Sequence, residues 1–188
     1  MIISVLIPCF NEKETIEEIV KRINDLKNIN TEIIIIDDCS NDGTTEILKE
    51  KIIDKVSKII FNESNFGKGY CLRKGIEVAQ GEIILIQDAD LEYDPNDFYK
   101  FFNLIEKFDA DLIIGSRFVY SEFTRSHNIL NKFGNTFITL LFNLTYNTTF
   151  TDIYSCYACF KKELINSKSL KTEGFEQHAE ILCKVVKK

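Results

Sequence analysis

The chain has 188 residues, 45% hydrophobic content and a formal net charge of −6. That length suits one domain with its own core, and the acidic balance speaks against an extended nucleic-acid-binding face, though not against a local anion site. No stretch approaches the ~20 apolar residues that span a bilayer, and no basic leader precedes the first strand-like run.

Residues 2–7 read as a strand. Ile16, Ile19, Val20, Ile23 and Leu26 then recur at helical spacing, with Asn11 and Glu14 placed as a capping pair. Residues 33–36 form a second buried strand that ends at Asp37-Asp38. A short helix is expected over 44–53 and a third strand over 57–61. Residues 67–79 read as a helix opened by Gly67-Lys68-Gly69, and residues 82–87 as a fourth strand leading into Asp88-Ala89-Asp90. Pro95 opens a helix carrying Phe98, Phe101, Phe102 and Ile105, and residues 112–114 give a fifth strand ending at Gly115-Ser116-Arg117. This alternation predicts an α/β fold, with a Rossmann-like, mostly parallel sheet, helices on both faces and right-handed crossovers.

The pattern then changes. Residues 121–128 are polar, and 129–146 read as one or two helices with Phe133, Phe137, Leu140, Leu141 and Leu144 on one side. Core packing is the expectation for that side, and contact with lipid is the alternative. Residues 152–160 read as a strand and 175–188 as a final helix. The chain stops inside that helix, which reads as a shortened form of something longer. The six cysteines read as free thiols. Cys156 and Cys159 point to opposite faces of the expected strand, with no second pair to complete a metal site.

Four clusters end four of the expected strands: Pro8-Cys9-Phe10-Asn11-Glu12, the run from Asp37 to Thr44, Asp88-Ala89-Asp90 and Gly115-Ser116-Arg117. A parallel sheet places all four on one edge, where open α/β sheets bind ligands. Asp88 and Asp90 are too close for both to stay charged without solvent or a cation, and the usual cation is hard and shared with phosphates. Asp38 is expected to face the ligand, while Ser40 and Asp42 shape the turn and cap the next helix. Gly67-Lys68-Gly69 can offer backbone N–H groups and a cation to a pyrophosphate. The P-loop spacing is absent, as is a G-x-G-x-x-G after the first strand. Arg117 is a fork-shaped donor suited to phosphate, with Arg125 and His127 following in the polar loop.

Taken in order, these motifs resemble family-2 glycosyltransferases of the GT-A fold, most closely the dolichol- or polyprenyl-phosphate mannosyltransferase-like branch. The resemblance continues through Gly134-Asn135, Thr151-Asp152, Ser155-Cys156-Tyr157 and Gly174-Phe175, so it covers essentially the whole chain. It implies a single domain over 1–188, with a nucleotide-sugar-binding half over 1–117 and an acceptor-side half over 118–188. It implies inverting transfer of a hexose from a GDP- or UDP-hexose donor to a polyprenyl phosphate acceptor, with Mg2+ or Mn2+. Pro8, Phe10, Glu12, Ile36 and Asp38 would hold the nucleoside, and Lys68 and Ala89 would complete the donor site. Asp88 and Asp90, with Glu92 helping, would hold the metal and the diphosphate. Asp90 and Arg117 would be catalytic, and Arg117 and Arg125 would meet the acceptor phosphate. A cytoplasmic protein is expected, at the cytosolic membrane face, with residues 129–146 and the C-terminal lysines pointing to peripheral membrane contact, and with a membrane-anchored subunit as a further candidate partner; no nucleic-acid partner is expected from the acidic balance. The chain departs from the family pattern at Ala158, where a basic residue is usual, and at Glu92, where Gln is common. Two alternatives remain beside this reading. One is transfer to a sugar hydroxyl, which needs a carboxylate base, with Glu180 and Asp152 as candidates. The other is an accessory module that binds nucleotide without transfer.

Overall fold

The computed structural model describes residues 1–117 and 129–187, the side chains of 129–131 excepted. Six strands, β1 (Ile3–Cys9), β2 (Thr31–Asp37), β3 (Lys58–Phe61), β4 (Ile83–Ile86), β5 (Leu112–Ile114) and β6 (Ala158–Lys161), form one sheet in the order β3-β2-β1-β4-β6-β5. β1 pairs in parallel with β2 and β4, and β2 with β3, while β6 runs antiparallel between β4 and β5. The two reversals leave β5 pointing the same way as β1 to β4. The carboxyl ends of β1 to β5 therefore share an edge, as expected.

The helices are α1 (Ile16–Asn24), α2 (Thr44–Ile47), α3 (Lys68–Val78), α4 (Phe98–Phe108), α5 (Ile129–Tyr146) and α6 (Gln177–Val186). Side chains alternate across the central strands. Val5, Ile7, Ile33, Ile35 and Leu85 enter a core with α1 and α4. Leu6, Ile34, Ile36, Ile84 and Ile86 enter another with α3 and α6. Burial on both faces explains why these strands are apolar at nearly every position. α5 packs against α6 through Phe142, Leu182 and Ile153.

Four local expectations change. α1 starts at Ile16 after Thr15, so Asn11 and Glu14 do not cap it. Asn11 instead takes a left-handed conformation, φ 58°, and its side chain accepts from the Asn41 amide at 2.9 Å. The helix expected over 44–53 is a short α turn that widens into a π-helical turn over Leu48–Ile52. The strand expected over 152–160 pairs only from Ala158, because its neighbours end there: β5 stops opposite Ala158 at Ile114, and β4 pairs only as far as Leu85, opposite Cys159. Cys156 therefore lies outside the strand, at the same sheet edge as the carboxyl ends of the parallel strands.

The fourth change concerns α5. Phe133 and Leu144 are 73% and 74% exposed, and Phe137, Leu140 and Leu141 are exposed beside them. The side expected in the core faces outward, and the buried side is Thr139 and Phe142, with Tyr146 half-buried. Among the described residues, no helix is long and apolar enough to cross a membrane.

Candidate active site

The strand order reverses between β1 and β4, and a cavity of about 340 Å³ opens there at the carboxyl edge. Such a switch point is where open α/β sheets take ligands. Cys9 stands opposite Asp37 and Leu6 opposite Ile86, so the end of β1 lies between the two acidic loops. Pro8, Phe10, Glu12, Asp38, Lys68, Asp88, Ala89 and Asp90 line the cavity, joined by Asn65, Gly67, Cys71 and Phe175. Of the other residues expected at the donor site, Ile36 is fully buried in the α3-side core, and Glu92 is exposed and not part of the wall. Arg125 and His127 lie outside the described residues.

The acidic loop after β2 is built by its own hydrogen bonds. Asp37 accepts from Ser40 and Thr45, and Asp42 accepts from the Thr44 amide at 3.0 Å at the start of α2. Burial works against the Asp42 carboxylate, but the Thr44 hydrogen bonds outweigh it and hold its pKa below the ordinary value. Asp38 is buried, and its carboxylate accepts from Asn62 Nδ2 at 2.8 Å, Phe66 N at 3.0 Å and Gly67 N at 2.7 Å. It thereby ties the loop before α3 to the end of β2.

The turn into α3 uses its glycines for close approach. Gly67 has φ +91°, and a Cβ there would meet the Glu173 carbonyl oxygen at 2.5 Å. Two of the backbone N–H groups read as pyrophosphate donors are engaged within the protein, Gly67 N with Asp38 and Gly69 N with Glu173 O at 2.7 Å, and Tyr70 N also reaches Glu173 O at 3.3 Å. What this turn presents to the cavity is the Lys68 ammonium. It pairs with Asp88, both side chains being mostly buried, and lies 5.6 Å from the Phe175 ring centroid. Burial works to lower the Lys68 pKa, but the charge and hydrogen bond of Asp88, together with Cys156, outweigh it and leave the ammonium above its ordinary value.

Asp88 and Asp90 stand on one wall, and Asp90 also accepts from the Glu92 amide at 2.9 Å. Among the described residues, no group of three or more His, Cys, Asp or Glu side chains gathers to hold a metal. Two carboxylates are nonetheless the oxygen set used by a hard cation that takes its other ligands from substrate phosphates and water. The wall fits a phosphate-shared ion rather than an all-protein cage.

The adjoining edge is organised by an ion pair. Arg117 donates from Nε and Nη2 to Asp152 at 2.8 and 3.0 Å, and Asn135 Nδ2 adds a bond at 2.7 Å. The hydrogen bond with Asp152 raises the Arg117 pKa further above its ordinary value. Glu180 accepts from the Lys171 and Thr172 amides and the Thr172 hydroxyl. Both carboxylates considered as bases are thus committed to other work. Sequence reasoning named Cys156 only as a strand thiol and a motif residue, and it missed His178. Burial and then the Asp88 charge push the Cys156 thiol up to about 11, against the pull of Lys68. His178 is buried near Lys68, Asp88 and Arg117. A single histidine on a helix carries no spacing signal, so only the packing reveals it.

The model for Glycosyl transferase family 2 matches residues 4–167. A dolichol-phosphate mannosyltransferase of Pyrococcus furiosus is 30% identical over 187 residues, covering 98% of this chain and 53% of its own. Glycosyltransferase AglJ of Haloferax volcanii is 29% identical, covering 99% of this chain and 59% of its own. The chain spans about half the length of these curated relatives. Among solved structures, glucosyl-3-phosphoglycerate synthase of Mycobacterium tuberculosis, in complex with Mn2+, UDP-glucose and phosphoglyceric acid, matches with a TM-score of 0.73 at 20% identity. That match covers 99% of this chain and 65% of the other, and it shows a shared GT-A fold.

Proposed function

The chain belongs to glycosyl transferase family 2, and from that premise we propose that it transfers a hexose, with inversion, from a nucleotide-sugar to a polyprenyl phosphate. The observation that carries this reading is the convergence of Asp88, Asp90 and Lys68 in one cavity at the switch point of the sheet. The similarity to a dolichol-phosphate mannosyltransferase over nearly the whole chain favours a lipid phosphate as acceptor.

In this reading Pro8, Phe10, Glu12 and Asp38 frame the nucleoside end, and residues 1–117 form the donor half. Asp88 and Asp90 hold Mg2+ or Mn2+, as suits a fold whose solved neighbour carries Mn2+. The bound cation supplies positive charge to the departing nucleoside diphosphate. Lys68 adds a second positive charge beside it, exchanging Asp88 for a phosphate oxygen. An acceptor phosphate is already an anion and needs no base, whereas a hydroxyl acceptor does. The commitment of Asp152 to Arg117 and Asn135, and of Glu180 to residues 171–172, favours the phosphate. Arg117, held by Asp152, marks the acceptor side.

The test is calorimetric titration of GDP, UDP, GDP-mannose and UDP-glucose, with Mn2+ and with EDTA. One base is expected to bind about tenfold or more tighter with metal. Metal-dependent binding without turnover on added polyprenyl phosphate would leave only an accessory nucleotide-binding module, and no nucleotide binding would end the transferase reading.

A lipid acceptor also assigns an occupant to the exposed side of α5. We place Phe133, Phe137, Leu140, Leu141 and Leu144 against the bilayer at the cytosolic face, as a peripheral contact. One such helix binds reversibly and weakly. The protein is expected to co-sediment with anionic vesicles at low salt and Phe133→Asp/Leu144→Asp to stay in the supernatant. Equal sedimentation of both proteins would remove α5 from the membrane.

A further inference from the structure

Among the described residues, three buried side-chain nitrogen or oxygen atoms lack a hydrogen-bond partner, and two of them are the ring nitrogens of His178. The residue is only 4% exposed. A buried polar group without a partner is costly, and an apolar ring would fill the same space without that cost. The unpaired ring therefore calls for a reason other than packing.

Its place in the fold supplies one. Residues 172–177 press against the start of α3, where Glu173 O accepts from Gly69 N and Tyr70 N. Gln177, with its amide oriented to pair, donates to the Gly69 carbonyl at 3.0 Å. His178 follows directly, and this docking carries it to the edge occupied by Lys68. The charged groups acting on its ring are Lys68, Asp88 and Arg117. Burial, then the charge of Lys68, pushes His178 down to about 4. The ring is neutral at pH 7 and offers one N–H donor and one lone pair. Lys68 and Arg117 each have a carboxylate partner, Asp88 and Asp152. A neutral donor beside such pairs adds a hydrogen bond for an anion without adding a charge that needs its own counterion.

We propose that His178 is a phosphoryl-binding residue, whose ring N–H donates to a phosphate oxygen held at Lys68. This rests on the transferase reading above. The phosphate belongs either to the donor diphosphate or to the acceptor lipid, and binding measurements separate the two.

The experiment compares wild type with His178→Phe and His178→Asn by calorimetry in Mn2+. The probes are the nucleoside diphosphate that wild type binds, its parent nucleoside, and a soluble short-chain prenyl phosphate. His178→Phe is expected to bind one of the two phosphates about ten- to a hundredfold more weakly, since the lost bond is to a charged group. Nucleoside affinity should hold, Tm should be unchanged or higher, and His178→Asn, which keeps a neutral donor, should recover part of the loss. Loss with the diphosphate assigns the donor, and loss with the prenyl phosphate assigns the acceptor. Wild-type affinity for both phosphates in His178→Phe overturns the assignment. So does a uniform loss for nucleoside and phosphates with a lowered Tm, which is a packing role, or loss of Mn2+ binding without nucleotide, which is a metal-ligand role. If wild type binds neither phosphate, the transferase reading itself has failed and the assignment falls with it.

Discussion

Asp88→Asn is expected to slow hexose transfer about a thousandfold while leaving the fold in place. Asp88 follows the end of β4, on the cavity wall rather than in the core, and Asn preserves its shape. The substitution removes one of the two charges that would retain the divalent cation. Lost metal stabilisation of a leaving diphosphate is worth several kcal/mol, and about 4 kcal/mol corresponds to a factor of about a thousand. Lys68 also loses its partner while only 13% of its side chain is exposed. A modest loss of stability, about 1–3 kcal/mol, should accompany the loss of activity. Single-turnover rates at saturating donor and Mn2+ binding by calorimetry check the first part, and thermal melting checks the second. Asp90→Asn should behave likewise without disturbing Lys68. Wild-type turnover and Mn2+ affinity in either variant would show that these carboxylates serve another purpose.

Asp152→Ala is expected to lower Tm by about 10 °C. The Asp152 side chain is fully buried, and it takes both prongs of the Arg117 fork and the Asn135 amide. Deleting a buried carboxylate that takes three side-chain hydrogen bonds, two of them from a guanidinium, costs about 3–5 kcal/mol. In a chain of this size each kcal/mol moves Tm by about 2–4 °C. The effect has a pH signature. Burial alone would raise the Asp152 pKa, but the bonds from Arg117 and Asn135 outweigh it and hold the carboxyl below its ordinary 3.8. A depressed carboxyl pKa stabilises the fold above the unfolded value and ceases to do so as pH falls through the folded one. The gap in Tm between wild type and Asp152→Ala should be flat from about pH 5 to 8 and shrink below about pH 4. A gap that persists undiminished at low pH would mean that packing, not charge, holds this corner together.

Much of the site was readable without coordinates, for a local reason. A strand buried on both faces must be apolar at each position, and it stops being so where it leaves the sheet. Asp38, Asp88 and Asp90 each follow such a run directly, so their place at the carboxyl edge follows from the pattern. Lys68 was legible as a cation at the start of a helix. Its partner was not, since Asp88 lies twenty residues away. The glycines around Lys68 signal a close contact, but it is not the pyrophosphate their pattern suggests. The pattern shows that the backbone comes close to something, and the structure shows that Glu173 is what it meets. α5 shows the same limit: periodicity divides a helix into two sides but does not say which one the core takes.

By itself, then, the sequence determined the strands, the single edge on which four polar clusters meet, and the family to which the chain belongs. These depend on side-chain periodicity and short ordered motifs, which act over a few residues. Only the tertiary structure decided that β6 enters between β4 and β5 in reverse, that Asp152 claims Arg117 across 35 positions, and that residues 172–177 dock on α3 and bury His178 beside the site. Each of these is a choice of partner between distant segments. Such choices are made by which surfaces fit when the whole chain packs, and no local pattern records them.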